Sequence, residues 1–539
     1  MTKNPFLVAA HRNDTVTENG ATSNSSTGSN YADQWGKAAN YRGRNFTDVA
    51  NDQSLLWDEN PTYAIRFPFY LRMITRKTKV NKDFTTETVM KGQGARDEAF
   101  KRLLWIAREH PTDFYNCIWL LPIVGRWKDL FELLFLDKSL GINAINHEVI
   151  FALVMQGLAM PEHTELVKKY LPRIRSNKKC TTEWATISNG FAKEFAKMAN
   201  MSYREYNKMK ATIDGWQQKM CDGRYDEINF STIPGKALSK IVCGKFLKKH
   251  GLAEKYAKWM EKKDTVHFTG YAYELGQMFE RGVSTAQRET INKMFKTLVE
   301  KATADDKITS NVWVAVDTSG SMETHVHGKV RALDICKSLA VFFSTINKGA
   351  FHKNIIMFDD TSTIKELSGE FCDMMSQIPY DAMGGTNFQS VVEEIVRVRK
   401  ANPNIALEDY PTTLLVVSDM QFNPTIRNWR NYYWDSTHAT TREPNNYEKA
   451  KETLATAFPK EWVDKFKFVW WDCTSRCSDF PAQITDGGCY FFSGFDPSII
   501  NVLLGETVNK NGSTTISMEE VIDRALNQEI LALVKAEQP

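Results

Sequence analysis

Between Ser310 and Phe492 the chain repeats one pattern: a short, largely apolar run, a polar turn, then an amphipathic stretch. The first runs are Val312–Trp313–Val314–Ala315–Val316, Asn354–Ile355–Ile356–Met357–Phe358 and Thr413–Leu414–Leu415–Val416–Val417. Runs this short and this uniformly apolar have no polar face to turn to water, which predicts strands buried on both faces of a parallel sheet. Helical stretches over Ala332 to Ile346, Phe388 to Lys400 and Tyr447 to Ala457 alternate with them. Phe466 to Trp471 and Cys489 to Phe492 add further strands, and Pro497 to Leu504 a last helix. Strict alternation predicts a doubly wound α/β domain, whose ligands bind at the carboxyl ends of the strands.

The polar signals sit at those ends. Asp317–Thr318–Ser319–Gly320–Ser321 follows the first strand, Gly384–Gly385–Thr386–Asn387 opens a helix, and Ser418–Asp419 follows the strand ending at Val417. Together they offer two carboxylates and three hydroxyls. Hard divalent ions want roughly octahedral oxygen coordination and keep several waters, so this donor set suits one such ion, Mg²⁺ first and Mn²⁺ or Ca²⁺ after it. A lone DxSxS string is weak; three loops in this order, each behind a strand or opening a helix, are specific. The set resembles the metal-ion-dependent adhesion site of von Willebrand A-type and integrin I domains, over about residues 308–504. The resemblance implies Ser319, Ser321 and Thr386 as direct or near-direct ligands, with Asp317 and Asp419 direct or water-bridged. It also implies a protein partner whose acidic group fills the remaining position.

Upstream, the reading differs. Residues 13–45 are rich in Asn, Ser, Thr and Gly without apolar periodicity, which predicts an extended or poorly ordered arm over 1–45. From 46 to 305 amphipathic spacing recurs, as in Ala99–Leu103–Leu104–Ile106–Ala107 and Val149–Phe151–Leu153–Val154–Leu158. Pro111, Pro122, Pro161, Pro172 and Pro234 punctuate it, so short stacked helix pairs are expected, as in an α-solenoid. The α/β domain is then 306–510, and 511–539 a helical tail packing back. Nine cysteines, an odd number, include the CxxxC pair Cys473 and Cys477, but no second pair at zinc spacing follows. The thiols read as structural and reduced, which suggests an intracellular, cytoplasmic protein. Neither a secretory leader nor a run of about eighteen apolar residues is present, so no membrane partner is expected.

The net charge of +3 hides an asymmetry: residues 160–263 carry 22 Lys and Arg against 11 Asp and Glu. Such a segment suggests a polyanionic partner or a solvated lysine-rich face. A helical region ahead of an A-type domain resembles the TROVE proteins (the Ro autoantigen, telomerase-associated and vault proteins). It resembles more closely a TROVE-like family of plants, bacteria and large viruses or phages. The residues that carry this are Thr17–Glu18–Asn19–Gly20–Ala21, Lys91–Gly92–Gln93–Gly94–Ala95–Arg96 with Phe100 and Leu103–Leu104–Trp105, and Gly125–Arg126–Trp127–Lys128–Asp129–Leu130. Further on, Leu171–Pro172–Arg173–Ile174–Arg175–Ser176, Tyr203–Arg204 and Ile233–Pro234–Gly235–Lys236–Ala237 continue it. The chain departs from that pattern between Arg72 and Lys91, where it carries inserted residues. The resemblance implies a ring of helical repeats, closed by the A-type domain, that binds small structured RNA. Lys and Arg would contact phosphates and aromatic rings would meet unpaired bases. The candidates are Arg96, Arg126, Lys128, Arg173, Arg175, Lys178 and Lys179, near Trp105, Trp127 and Trp184; Trp105 and Trp127 at helical spacing equally fit a core.

Catalytic signatures are missing. GxxxxGK[ST], HExxH and the GxSxG elbow do not occur. His325 and His327, just past the metal turn, are the nearest histidines and read as an exposed loop pair. The expectation is a non-catalytic RNA-binding ribonucleoprotein component with a metal-dependent partner site; the alternative is a metal-dependent assembly scaffold with no RNA.

Overall fold

The computed structural model describes residues 5–41, 43–80, 86–210, 215–242, 245–303, 311–425, 443–474, 479–495 and 516–537. The helix expected over Pro497 to Leu504 lies outside them, as do Cys477 and the aromatic-rich insertion with Trp429, Tyr432, Tyr433 and Trp434. The chain forms two compact units, Met1–Arg42 with Pro234–Arg524, and Gly43–Ile233 with Ala525–Pro539.

The first unit is built on a six-stranded sheet: β1 (Trp313–Asp317), β2 (Asn354–Phe358), β3 (Ser362–Glu366), β4 (Thr413–Ser418), β5 (Lys467–Asp472) and β6 (Cys489–Ser493). Their order is β6-β5-β4-β1-β2-β3. All neighbours pair parallel except β3, which runs antiparallel to β2 at the edge. The order reverses between β1 and β4, so the crevice at their carboxyl ends is where such a sheet takes its ligand. β1 and β4 are buried along their whole length, as the apolar runs require. β3 was not expected, because its sequence, Ser-Thr-Ile-Lys-Glu, is half exposed and mostly polar.

Two expectations about domain limits are corrected. The N-terminal segment is not a loose arm: Asn30–Lys37 is a helix capped by Ser29, with Tyr31, Ala32 and Trp35 buried. Its small polar residues are satisfied inside the unit. Ser23 Oγ donates to Asp479 at 2.7 Å, Asn24 N to the Phe480 carbonyl at 2.9 Å, and Asn40 Oδ1 accepts from Gly494 N at 2.8 Å. The helical domain also ends earlier than residue 305, because the helices after Pro234 pack with the sheet unit. Phe295, in helix Thr285–Thr303, stacks on Phe371 at 4.3 Å, and Arg288 pairs with Asp373 at 2.6 Å. Gln277, in helix Ala272–Glu280, donates to Asp334 at 2.9 Å.

The second unit is helical, apart from an antiparallel hairpin, Ile74–Val80 with Thr86–Gln93, at the inserted residues after Arg72. Pro61, Pro111 and Pro161 sit in the first turns of helices Pro61–Arg72, Pro111–Cys117 and Pro161–Tyr170, where a missing N–H costs nothing. Helix Trp127–Ser139 begins on a buried ion pair: Asp129 accepts from Arg126 N and from Arg72 Nε, both at 2.8 Å. A Cβ at Gly125 would collide with that carboxylate, which explains the glycine. Of the tail expected over 511–539, only Ala525–Pro539 belongs to this unit, with Glu537 N donating to Asp113 at 2.7 Å and Gln528 bonding both backbone groups of Lys91. No helix among the described residues is long and apolar enough to cross a membrane, and the seven described cysteines are free thiols.

Candidate metal centre and basic pocket

Asp317 ends β1 and Ser418 ends β4, so the pairing of the two strands brings their side chains together. Ser418 Oγ donates to Asp317 Oδ2 at 2.5 Å, and Ser319 N donates to Asp317 Oδ1 at 2.9 Å. Ser319 Oγ lies 3.1 Å from Ser321 Oγ, and Ser321 is close enough to Asp419 to oppose the rise that burial gives its carboxyl. The loop after β4 is held open by a left-handed Met420, φ 64°, which lets Gln421 N return to Asp419 Oδ1 at 3.1 Å. Asp317, Ser319 and Ser321 are thus linked by hydrogen bonds, with Asp419 beside Ser321.

The Gly384–Gly385 loop is tied to the same place by its backbone. Gly320 N donates to the Gly384 carbonyl at 3.1 Å and Asn423 N to the Thr386 carbonyl at 2.8 Å. The two glycines are needed because the turn after β2 crowds them: a Cβ at Gly385 would stand 2.6 Å from Asp360 Oδ1. Thr386 is 1% exposed, and its hydroxyl makes no hydrogen bond to a described residue.

Electrostatics sharpen the point. Burial first, then the charge of Asp419, pushes Asp317 up to about 7. Asp419 is itself raised by burial, with Glu18 adding to it and the bonds from Ser321 and Gln421 opposing. Two buried carboxylates with hydroxyls for neighbours are an unfavourable arrangement in themselves and a favourable one around a divalent cation. The donor chemistry therefore fits such an ion. No group of three or more His, Cys, Asp or Glu side chains is placed to hold a metal among the described residues, so an ion here would have to draw on the hydroxyls as well. His325 is exposed on the small hairpin His325–His327 and Val330–Arg331 and belongs to no such group. Two acids near the centre were not read as part of it from the sequence: Asp472 and Glu18. Asp472, fully buried at the end of β5 and raised far above the usual carboxylate range by burial, carries the same signal as Asp317, an acid ending an apolar run.

A family model described as a domain of unknown function, DUF7788, matches residues 311–535. An uncharacterized protein of Acanthamoeba polyphaga mimivirus is 20% identical over 527 residues, 91% of this chain and 85% of that one. The crystal structure of the Deinococcus radiodurans RO (RSR) protein matches at 13% identity and a TM-score of 0.31, over 76% of this chain and 86% of that chain.

The helical unit carries a second feature, a cavity of about 210 Å³ lined by Lys128, Glu132, Arg173, Arg175, Trp184 and Phe191 among others. Arg173 and Arg175 follow the helix Pro161–Tyr170, and Arg175 N is fixed by Asn189 Oδ1 at 2.8 Å. Their side chains are exposed and pair with no described acid, and the same holds for Lys178 and Lys179, which lie just beyond the cavity. Arg96 and Lys128 are not free in this way: Glu132 pairs with both, at 2.6 and 2.5 Å. Arg126 is exposed at the start of helix Trp127–Ser139, outside the cavity. Of the three tryptophans, Trp127 is buried against Gly157 and His163, and Trp105 against Trp57 and His110. Trp184 is 41% exposed, with Lys128 Nζ 5.8 Å from its ring. The basic excess noticed in the sequence divides between the units, +4 on residues 160–233 and +7 on 234–263.

Proposed function

We propose that the protein is a non-catalytic RNA-binding component of a ribonucleoprotein. In this reading the helical unit holds small structured RNA, and the α/β unit is a von Willebrand A-type domain binding one divalent cation and a partner. The observation that carries the RNA reading is the pocket: two exposed, unpaired guanidiniums, Arg173 and Arg175, beside an exposed Trp184. Unpaired cations neutralise phosphates and release counterions, and an exposed indole offers a face on which any unpaired base can stack. Cations used only for folding would be paired with acids, as Arg96 and Lys128 are with Glu132. The likeness of the sequence to TROVE proteins points the same way.

Asp317, Ser319, Ser321, Thr386 and Asp419 would hold the ion, with Mg²⁺ first and Mn²⁺ or Ca²⁺ as substitutes. A bound Mg²⁺ would supply positive charge between the two carboxylates and a coordination position for an acidic group. Metal-assisted phosphoryl transfer needs a second metal or a positioned base, and the sequence nominates neither.

The test is binding of the purified protein to small structured RNAs with single-stranded ends, across a salt titration. Tight binding that falls steeply with salt supports the reading. Absence of binding at low salt removes it and leaves the second reading, a metal-dependent protein scaffold, which rests on the Asp317–Asp419 pair alone.

A further inference from the structure

We propose that Glu18 supplies the acidic ligand of the metal centre from within the chain, so that the turn Thr17–Ala21 is a fourth loop of that site. This rests on the metal reading above and goes beyond it, because it says what occupies the position otherwise left to a partner.

The turn is closed on itself. Thr17 N donates to the Ala21 carbonyl and Gly20 N to the Thr17 carbonyl, both at 2.9 Å, and Ala21 N donates to Thr17 Oγ1 at 3.0 Å. Gly20 sits at φ 88°, a conformation open to glycine and strained for other residues. The closed turn is then clamped to the loop after β4. Thr17 Oγ1 donates to the Phe422 carbonyl at 2.7 Å, Glu18 N to Gln421 Oε1 at 2.6 Å, and Asn19 Nδ2 to the Gln421 carbonyl at 2.5 Å. Gln421 N in turn donates to Asp419 Oδ1. The Glu18 backbone is therefore fixed through one residue, Gln421, to a carboxylate of the centre.

Within this arrangement the Glu18 side chain does nothing for the fold. It is exposed and makes no hydrogen bond or ion pair to a described residue. Its backbone N–H and the Asp419 carboxylate are both held by Gln421, so this free side chain starts next to the centre. A third negative charge beside two buried carboxylates is repulsive in the absence of a cation and attractive once one is bound. Glu18, Asp317 and Asp419 do not form a three-acid group in the described conformation. The motion required is a rotation of one free side chain on a clamped backbone. An acidic partner would then have to displace Glu18, which makes the turn a built-in competitor for the partner site.

The experiment compares wild type, Glu18→Gln and Asp317→Ala as full-length proteins. Mn²⁺ is titrated by calorimetry, and water-proton relaxivity counts the waters on the bound ion. The expected result is one ion on wild type and none on Asp317→Ala. Glu18→Gln should bind roughly ten-fold more weakly, in the range that loss of one supporting group costs a metal site, and its bound ion should gain one exchangeable water. Glu18 is exposed, so the variant is expected to fold, and its melting temperature without metal checks this. Equal affinity and equal hydration in wild type and Glu18→Gln would overturn the assignment while leaving the metal centre intact. Failure of wild type itself to bind Mn²⁺ would remove both.

Discussion

The two candidate sites are built on opposite plans. The metal centre uses few charges, all buried: Asp317, Ser319, Thr386 and Asp419 are each less than one-tenth exposed and are positioned by strand ends. The pocket of the helical unit uses exposed charges on short connections, Arg173 and Arg175, with an aromatic plate beside them. Burial makes the first site selective and intolerant, because each donor sits in a low-dielectric setting where an unmatched charge is expensive. Exposure makes the second tolerant and strongly dependent on salt, because each cation acts through screened attraction to phosphate.

The largest effect should come from breaking the buried site. Asp317→Ala removes a carboxylate held by Ser319 N and Ser418 Oγ, and metal binding measured by Mn²⁺ calorimetry should fall by about 100-fold or more. RNA affinity measured on the same sample should be unchanged; a parallel loss would mean that the two sites are coupled. The converse variant, Arg173→Glu with Arg175→Glu, should weaken RNA binding by roughly thirty-fold at moderate salt and flatten the salt slope by about two. Its Mn²⁺ affinity should equal that of wild type.

The contrast also explains what the sequence made legible. β1, β2, β4, β5 and β6 lie where largely apolar runs predicted strands, and helix Ala332–Ile346 has its expected limits. Strands buried on both faces read as near-continuous apolar runs. The convergence of the DxSxS loop and the Ser418–Asp419 loop followed from strand order. β3 was hidden, because an edge strand with one wet face uses residues such as Ser362, Thr363 and Lys365 that elsewhere mark loops. The N-terminal segment was misread for a related reason. Its order comes from side-chain hydrogen bonds of Thr17, Ser23 and Asn24 to distant loops and not from apolar periodicity. Composition alone cannot distinguish a polar segment that water solvates from one that a protein surface satisfies. The boundary near 305 marked a change of pattern; packing placed the real one at Pro234, since helices 272–280 and 285–303 bury their apolar faces on the sheet unit.

Acidity sharpens the comparison at an intermediate scale. The Asp317 carboxyl, ordinarily near 3.8, is pushed up to about 7 in the fold. Without metal the folded state then binds more protons than the unfolded one between these values, so this group subtracts stability as pH rises through that window. Metal binding requires the carboxylate, so protons compete with it. The stabilisation by Mg²⁺, read as a gain in melting temperature, should therefore be large at pH 7.5 and small at pH 5.5. Mn²⁺ affinity should drop by roughly an order of magnitude between the two. RNA binding through Arg173 and Arg175 has no such reason to change, because guanidiniums stay charged throughout. A pH-independent Mn²⁺ affinity would show that Asp317 is already ionised in the absence of metal.

The smallest effect, and the one that separates a base-stacking plate from a mere wall of the pocket, lies at Trp184. Its ring is half in solvent, beside Phe135 at 6.4 Å and under Lys128 at 5.8 Å. Trp184→Ala should weaken binding of RNAs with unpaired ends by about five-fold, near the lower limit of what stacking one base contributes. Trp184→Phe should restore most of it, because stacking needs a flat π-face and not the indole N–H. The salt slope should not move in either variant, since no phosphate contact is lost. Fully paired RNA offers no free base to stack, so its affinity should be unchanged by Trp184→Ala. If paired and unpaired RNAs lose affinity equally, Trp184 acts only by positioning Lys128, and the pocket recognises charge without recognising bases.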